Sequence, residues 1–307
     1  MSASNSSEPP PPLSSATCSQ CCGSSRRRNI LFAVLGVAIA ALAWQHFSDP
    51  ESFHWPVADE DFIAGGSGSK TVDRIIERNG RRFLWAGQDE AMHFDVTQSS
   101  LKLENLHYGL GREAFPALIE PRFISAREAS KWLSPEARVL AVKIGGEHKV
   151  YPVDLLIHHE VVNDVVGGRP VFAAYCILAD LGAMYDRRLG EHTLTFGVSG
   201  YTYAEKEVWS GLGAFVLWDR ETESLWWPPT GRAVSGPLQG QPLMLLETEL
   251  WHQTTWGKVR EEDPNVLVLD RGQDLVRPAR WNKLALQSVP DVSNKPNRIA
   301  PRWGQNP

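Results

Sequence analysis

From Val139 onward apolar residues return at every second position, in short runs cut by glycine, aspartate and proline. "VLAVKIGGEHKVY" holds two such runs around Gly145-Gly146, and "VVNDVVGGRPVFAAYC" repeats the arrangement around Gly167-Gly168. Alternation broken by two glycines marks a β-hairpin, because the tight turn needs positive φ at both central residues. Further runs at "GAMYDRR", "HTLTFGV", "AFVLWDR", "ESLWW" and "NVLVL" extend the pattern. Pro170 has no amide donor, so its strand begins there or lies at an edge. Upstream, "TVDRIIERNGRRFLWAG" predicts a short helix and then a strand, with Asn79-Gly80 as the break. "ISAREASKWLSPE" predicts a helix that Ser125 caps, Glu128 completes as a capping box and Pro135 stops. Pro152 opens another helix, carrying Leu155 and His159 on one face. These elements define an α+β class, predominantly antiparallel β in a curled sheet or barrel-like meander, with a few peripheral helices.

The first 29 residues are rich in serine and proline and read as a disordered cytoplasmic tail. Three arginines, Arg26 to Arg28, then precede an uninterrupted apolar run from Ile30 to Trp44. Continued through Phe47, this run approaches the length of a membrane span, and residues 30–47 are expected to form a transmembrane signal anchor. The alternative is a cleavable signal peptide, with Ala41-Leu42-Ala43 as the small-residue cleavage site. Both readings leave the arginines in the cytoplasm and export the chain beyond residue 47; the anchor reading places the protein at the bacterial cytoplasmic membrane as a single-pass protein. Residues 48–70, ending in "GGSGSK", form a linker; residues 71–285 form one extracytoplasmic domain; residues 286–307 form a C-terminal tail.

Composition adds little to this picture beyond exclusions. With 42% hydrophobic and 22% charged residues among 307, the chain is of ordinary globular make-up. A net charge of −5, with the later basic residues interleaved among acids, makes nucleic acid an unsuitable partner. The hairpin glycines lack the strand-to-helix setting of a phosphate loop. Cys18, Cys21 and Cys22 fall on the cytoplasmic side, where they are open to acylation or metal binding or stand as plain thiols. Cys176 is then the lone exported cysteine, so no intradomain disulfide can form.

The densest polar stretch, "YPVDLLIHHEVVND", offers His158, His159, Glu160, Asn163 and Asp164 for metal binding or acid–base work, or for local capping. Pairing across Gly167-Gly168 sets 166 opposite 169, so residue 159 would fall opposite 176 if the strand ran back that far. Cys176 is then either a nucleophile with His159 as base and Glu160 or Asp164 as orienter, or a small core side chain. A soft metal such as copper would be held by Cys176, His159, His158 and Met184. Twelve tryptophans either fill the core or present rings to sugars or peptides.

Residues from about 93 to 270 resemble a bacterial family known as domain of unknown function 3179, through "HYGLGREAFPALIEPRFISAREA", "HHEVVNDVVGGRPV", "YCILADLGAMYDRR", "LTFGVSGYTY", "WDRETESLWWPPTGRAVSGPLQGQPL" and "TTWGKVREEDPNVLVL". The resemblance implies an exported or membrane-tethered protein. Family members read Tyr-Cys-Pro-Leu-Cys-Gly where this chain has Tyr175-Cys176-Ile177-Leu178-Ala179-Asp180, so the first cysteine survives and the second is Ala179. The family's Trp-His-Glu becomes His158-His159-Glu160. Asp186, Arg187, Asp219, Arg220 and Glu223 keep their pattern, as site residues or as ion pairs at turns. The leading expectation is a membrane-anchored binding module for a small ligand or protein partner, with a degenerate site near Cys176 and His159. A soft-metal or thiol site and a structural envelope protein are the rivals.

Overall fold

The computed structural model describes residues 74–109, 112–208 and 213–273. The tail 1–29 with its three cysteines, the apolar segment 30–47, the linker 48–70 and the tail 286–307 lie outside the described residues. Among the described residues no helix is long and apolar enough to cross a membrane.

In chain order the strands are β1 (Ile75–Arg78), β2 (Arg81–Leu84), β3 (Phe94–Asp95), β4 (Leu106–Tyr108), β5 (Leu118–Ile119) and β6 (Phe123–Ser125). Helix α1 (Ala126–Ala129) leads to β7 (Arg138–Ile144) and β8 (Glu147–Pro152), and α2 (Val153–His159) to β9 (Val161–Val166), β10 (Arg169–Cys176) and β11 (Leu181–Asp186). Then come β12 (Arg188–Leu189), β13 (His192–Thr193), β14 (Phe196–Tyr203), β15 (Ala214–Asp219), β16 (Leu225–Trp227), β17 (Arg232–Ser235), β18 (Trp251–Thr255), α3 (Trp256–Glu262) and β19 (Leu267–Leu269). They assemble as sheets ordered β1-β2-β3, β11-β10-β9-β5, β12-β13, β17-β16-β15-β14-β4 and β18-β7-β8-β19-β6. Among the described pairs only β5 with β9 and β8 with β19 run parallel. The class is therefore the expected α+β with mostly antiparallel strands, and the sheets stay open rather than closing into a barrel.

Both glycine hairpins form in the expected register, Ile144 opposite Glu147 and Val166 opposite Arg169. Two local expectations change. Of the stretch expected to be helical, Ile75–Arg78 is strand: Asn79 (φ 53°) and Gly80 (φ 73°) make a tight turn that folds β1 onto β2. Helix α1 has its capping box, yet it stops at Ala129, well before Pro135. From there Lys131 and Trp132 bond three residues back, tightening the chain out of the α-helical path.

Fully buried aromatic rings dominate the core. Phe172 stacks between Tyr185 (4.8 Å) and Phe196 (4.3 Å), and Phe196 meets Trp226 edge-on at 5.6 Å. Trp226, Trp227 and Trp256 are inside, so these rings fill the core and are not presented to solvent. A smaller apolar cluster lies beneath α1 and α3, built from Val139, Ala141, Val150, Trp256 and Val259 among others.

The two hairpins touch at their turns. A Cβ on Gly167 would sit 2.2 Å from the Ile144 carbonyl oxygen, while one on the adjacent Gly168 would meet nothing within 4 Å. Both have positive φ, at 55° and 77°. Gly168→Ala is expected to lose about 1 kcal/mol from the left-handed backbone alone. Gly167→Ala should lose about 2–4 kcal/mol, because the clash is with backbone and adds to the same strain. Urea denaturation of the two variants tests the difference.

Candidate functional site

The β9–β10 ladder runs from Arg169 opposite Val166 to Ala174 opposite Val161, and the Tyr175 amide continues it to the Glu160 carbonyl at 2.9 Å. It stops one pair short of 159 and 176. His159 is the last residue of α2, and its ring donates from Nδ1 to the Pro116 carbonyl at 2.9 Å. The Cys176 sulfur accepts the Phe215 amide at 3.4 Å instead, and no hydrogen bond joins imidazole and thiol. Burial lowers the His159 pKa against the opposing pull of that carbonyl, which favours the neutral ring. Exposed His158 sits on the outer side of the helix end.

Cys176 is 1% exposed. Burial, then the negative charge of Glu160, pushes its thiol up to about 12, with backbone amides of Phe215, Ala179 and Leu178 offsetting part of the rise. Such a thiol stays protonated at neutral pH, and the thiolate is the form that attacks electrophiles and binds metals.

Glu160 is the unusual residue here. It caps α2 in a left-handed conformation (φ 57°), a place where glycine avoids a steric cost of about 1–2 kcal/mol. The residue is half-buried, and burial pushes its carboxyl pKa up to about 8. No protein donor hydrogen-bonds that carboxyl among the described residues. The group is thus a largely neutral acid at pH 7, close enough to Cys176 to act on it electrostatically.

Asp164 is elsewhere. Its carboxylate takes Lys149 Nζ at 3.0 and 3.1 Å and the Tyr151 hydroxyl at 2.7 Å, and all three side chains are buried. Lys149 further donates to the Val165 carbonyl (2.9 Å), pairs with Glu147 (3.3 Å) and lies 4.3 Å from the Phe123 ring centroid. Asn163 bonds the carbonyls of Leu118 and Phe196 and accepts the Phe196 amide, tying β5, β9 and β14 together. Met184 pairs with Ala173, whereas Cys176 pairs with Leu181, so strand alternation puts the two sulfurs on opposite faces of the sheet. Among the described residues no three His, Cys, Asp or Glu side chains converge as a metal centre would need.

The acid–base motifs after β11 and β15 have local partners. Asp186 accepts from Arg169 Nε (2.8 Å) and the Arg188 amide (2.8 Å), and Arg187 donates to the carbonyls of Leu194 and Asp164. Asp219 is fully buried and accepts from the Thr222 amide (2.7 Å), its hydroxyl and Trp226 Nε1 (2.8 Å). Burial still pushes its pKa up to about 6. Arg220 pairs with Glu113, while Arg112 pairs with Glu223 at 3.3 Å and lies 3.5 Å from the Trp218 ring centroid. Arg112 and Glu113 do not stand out in the sequence. Their one signal is an arginine–glutamate pair in "GREAF", complementary to the acids and bases of "DRETE" more than a hundred residues away.

Against known families, residues 112–283 match the model described as protein of unknown function (DUF3179), more than half of the chain, and the protein belongs to that family. No curated protein and no solved structure matches the chain.

This geometry generates two expected outcomes. In a chain with Cys18, Cys21 and Cys22 changed to serine, Cys176 should resist iodoacetamide at pH 8 in the native state and react once the protein is unfolded. Mass spectrometry of the two samples reads this out. Asp164→Ala should cost about 3–5 kcal/mol in urea denaturation, because it strands a buried ammonium and a phenol hydroxyl.

Proposed function

We propose that the protein is a membrane-anchored, extracytoplasmic binding module whose recognition site surrounds the Glu160 carboxyl at the mouth of the β9–β10 hairpin. One observation carries the site: a glutamate holds a backbone position suited to glycine, and its half-buried carboxyl lacks a protein hydrogen-bond partner among the described residues. Backbone strain retained at a polar residue is typical of a functional position. A largely neutral carboxyl both donates and accepts, so it suits a small polar ligand or a peptide carbonyl. In this reading Cys176 packs behind the acid as core, and the chemistry of a dithiol is lost with Ala179. Membrane attachment rests on the apolar run 30–47 behind Arg26 to Arg28.

Two measurements test the reading. Glu160→Gly should raise the unfolding free energy by about 0.5–1 kcal/mol while abolishing thermal-shift responses to a sugar-free library of metabolites and peptides. A library that never stabilises the wild type, or stabilises the glycine variant equally, sinks the site. In bacterial spheroplasts, protease should reach the folded domain without lysis, and deletion of residues 30–47 should release it from membranes.

The acid also sets a pH dependence. Its folded pKa lies above its ordinary 4.5, so the native state holds a proton that the unfolded chain has given up between pH 4.5 and about 8. This contribution is absent below pH 4.5, grows as a destabilisation with rising pH, and levels off above about 8 at no more than roughly 5 kcal/mol, less what solvent screening of the half-buried group removes. Glu160→Gln should remove that part of the slope in denaturation curves taken from pH 4.5 to 9.

A further inference from the structure

A cleft of about 390 Å³ opens between the β1-β2-β3 sheet and the turn after β15. One wall carries Arg81, Phe83, His93, Asp95 and Gln98; the other carries Glu223 beside the Gly236-Pro237 turn. Its volume lies within the range of small-ligand pockets. It lies apart from Glu160 and Cys176, and its first wall precedes the family-matched stretch.

The walls are held in place. Ser235 Oγ donates to the Asp95 carbonyl (2.9 Å), the Ser100 amide to Val234 (2.9 Å), and Arg112 spans from the Met92 carbonyl (2.7 Å) to Glu223 (3.3 Å). Gly236, at φ 83°, packs so closely that a Cβ there would lie 2.7 Å from Ser224 Cα. The cavity is therefore preformed, and a ligand need not spend binding energy on ordering it.

The charges on the walls decide what fits. Arg81 is paired with Asp95, and Glu223 with Arg112. An ionised ligand meets no uncompensated counter-charge here. Groups of mixed hydrogen-bonding character remain. His93 donates from Nε2 to the Gly87 carbonyl at 3.0 Å, which leaves Nδ1 as an acceptor. The exposed Gln98 side chain has no protein partner among the described residues and offers both donor and acceptor. A carboxylate has room for about four hydrogen bonds; Asp95 already takes the Thr97 amide (2.9 Å) and hydroxyl (2.5 Å) besides Arg81, so it keeps a position on Oδ2 for one ligand hydroxyl, and Glu223 can accept others while keeping Arg112. The Phe83 ring lies beside them, with the Arg78 and Arg81 guanidiniums each 5.3 Å from its centroid. Donors, acceptors, ion-paired carboxylates and one aromatic ring match a ring-shaped molecule dense in hydroxyl groups.

We propose that this cleft binds a small, neutral, polyhydroxylated ligand of the sugar class. The test uses the full-length chain, purified without sugar-based detergent, and ligand-observed NMR. Glucose, galactose and N-acetylglucosamine are the neutral probes; glucosamine and glucuronate are their cationic and anionic counterparts. At least one neutral sugar should bind, and the charged analogues should bind about tenfold more weakly. Gln98→Ala, at an exposed position that should not disturb folding, and Asp95→Asn should each weaken binding about five- to tenfold. Three results overturn the proposal: none of the neutral sugars binding at about 20 mM, where a millimolar Kd would register; charged analogues binding as well or better; or binding that survives both substitutions unchanged.

Discussion

The buried ion pair of Lys149 with Asp164, completed by the Tyr151 hydroxyl, is the contact on which the arrangement of the domain depends. It joins β8 of one glycine hairpin to β9 of the next, and so locks two sheets that share no ladder. Once the pair is made, the turns meet at Gly145 and Gly167 and the start of β9 is fixed in space. A buried pair of this kind is a weak source of net stability, since desolvation offsets much of the attraction. It does penalise other arrangements heavily: sliding β9 by one residue would turn Asp164 away and leave the ammonium in apolar surroundings. Glu160 and Cys176 owe their positions to that fixed register.

Much of the architecture can be read directly in the chain. Alternation around two glycines gives both hairpins and their pairing, and arithmetic from the turn holds down to residues 160 and 175. It fails at 159 because α2 ends there, and its left-handed cap turns His159 toward Pro116. A register rule carries no information about where a strand gives way to a helix. The stretch before Asn79 misleads in the opposite sense, since "RIIER" suits a helix turn while β2 offers it a pairing partner. Of the site, the residue types are legible and their grouping is not. Asp164 lies three pairs from the end of its ladder, and its partner Lys149 belongs to another hairpin.

The acids and bases of the DUF3179 motifs show how a charged segment can serve structure. Asp219 holds its own turn through Thr222 and the Trp226 indole, and Asp186 gathers two arginines at the edge of its strand. Arg112 and Arg220 approach the Trp218 ring, at 3.5 and 5.8 Å from its centroid, and their glutamates, Glu223 and Glu113, come from distant parts of the chain. Burial of these groups is tolerated because each is met by several partners. Glu160 has no such company, which separates it from the other acids even though it looks the same in sequence.

The β1-β2-β3 sheet sits ahead of the family-matched stretch, yet three serines and Arg112 fasten it to β17 and to the 219–224 turn. Its outer residues contribute a cavity wall and little of the interior. Evolution can therefore rewrite that wall while the hairpins and the aromatic interior remain under separate selection. Paralogues could diverge in what they hold through a handful of replacements between residues 81 and 98, with the inherited scaffold beneath them unaltered.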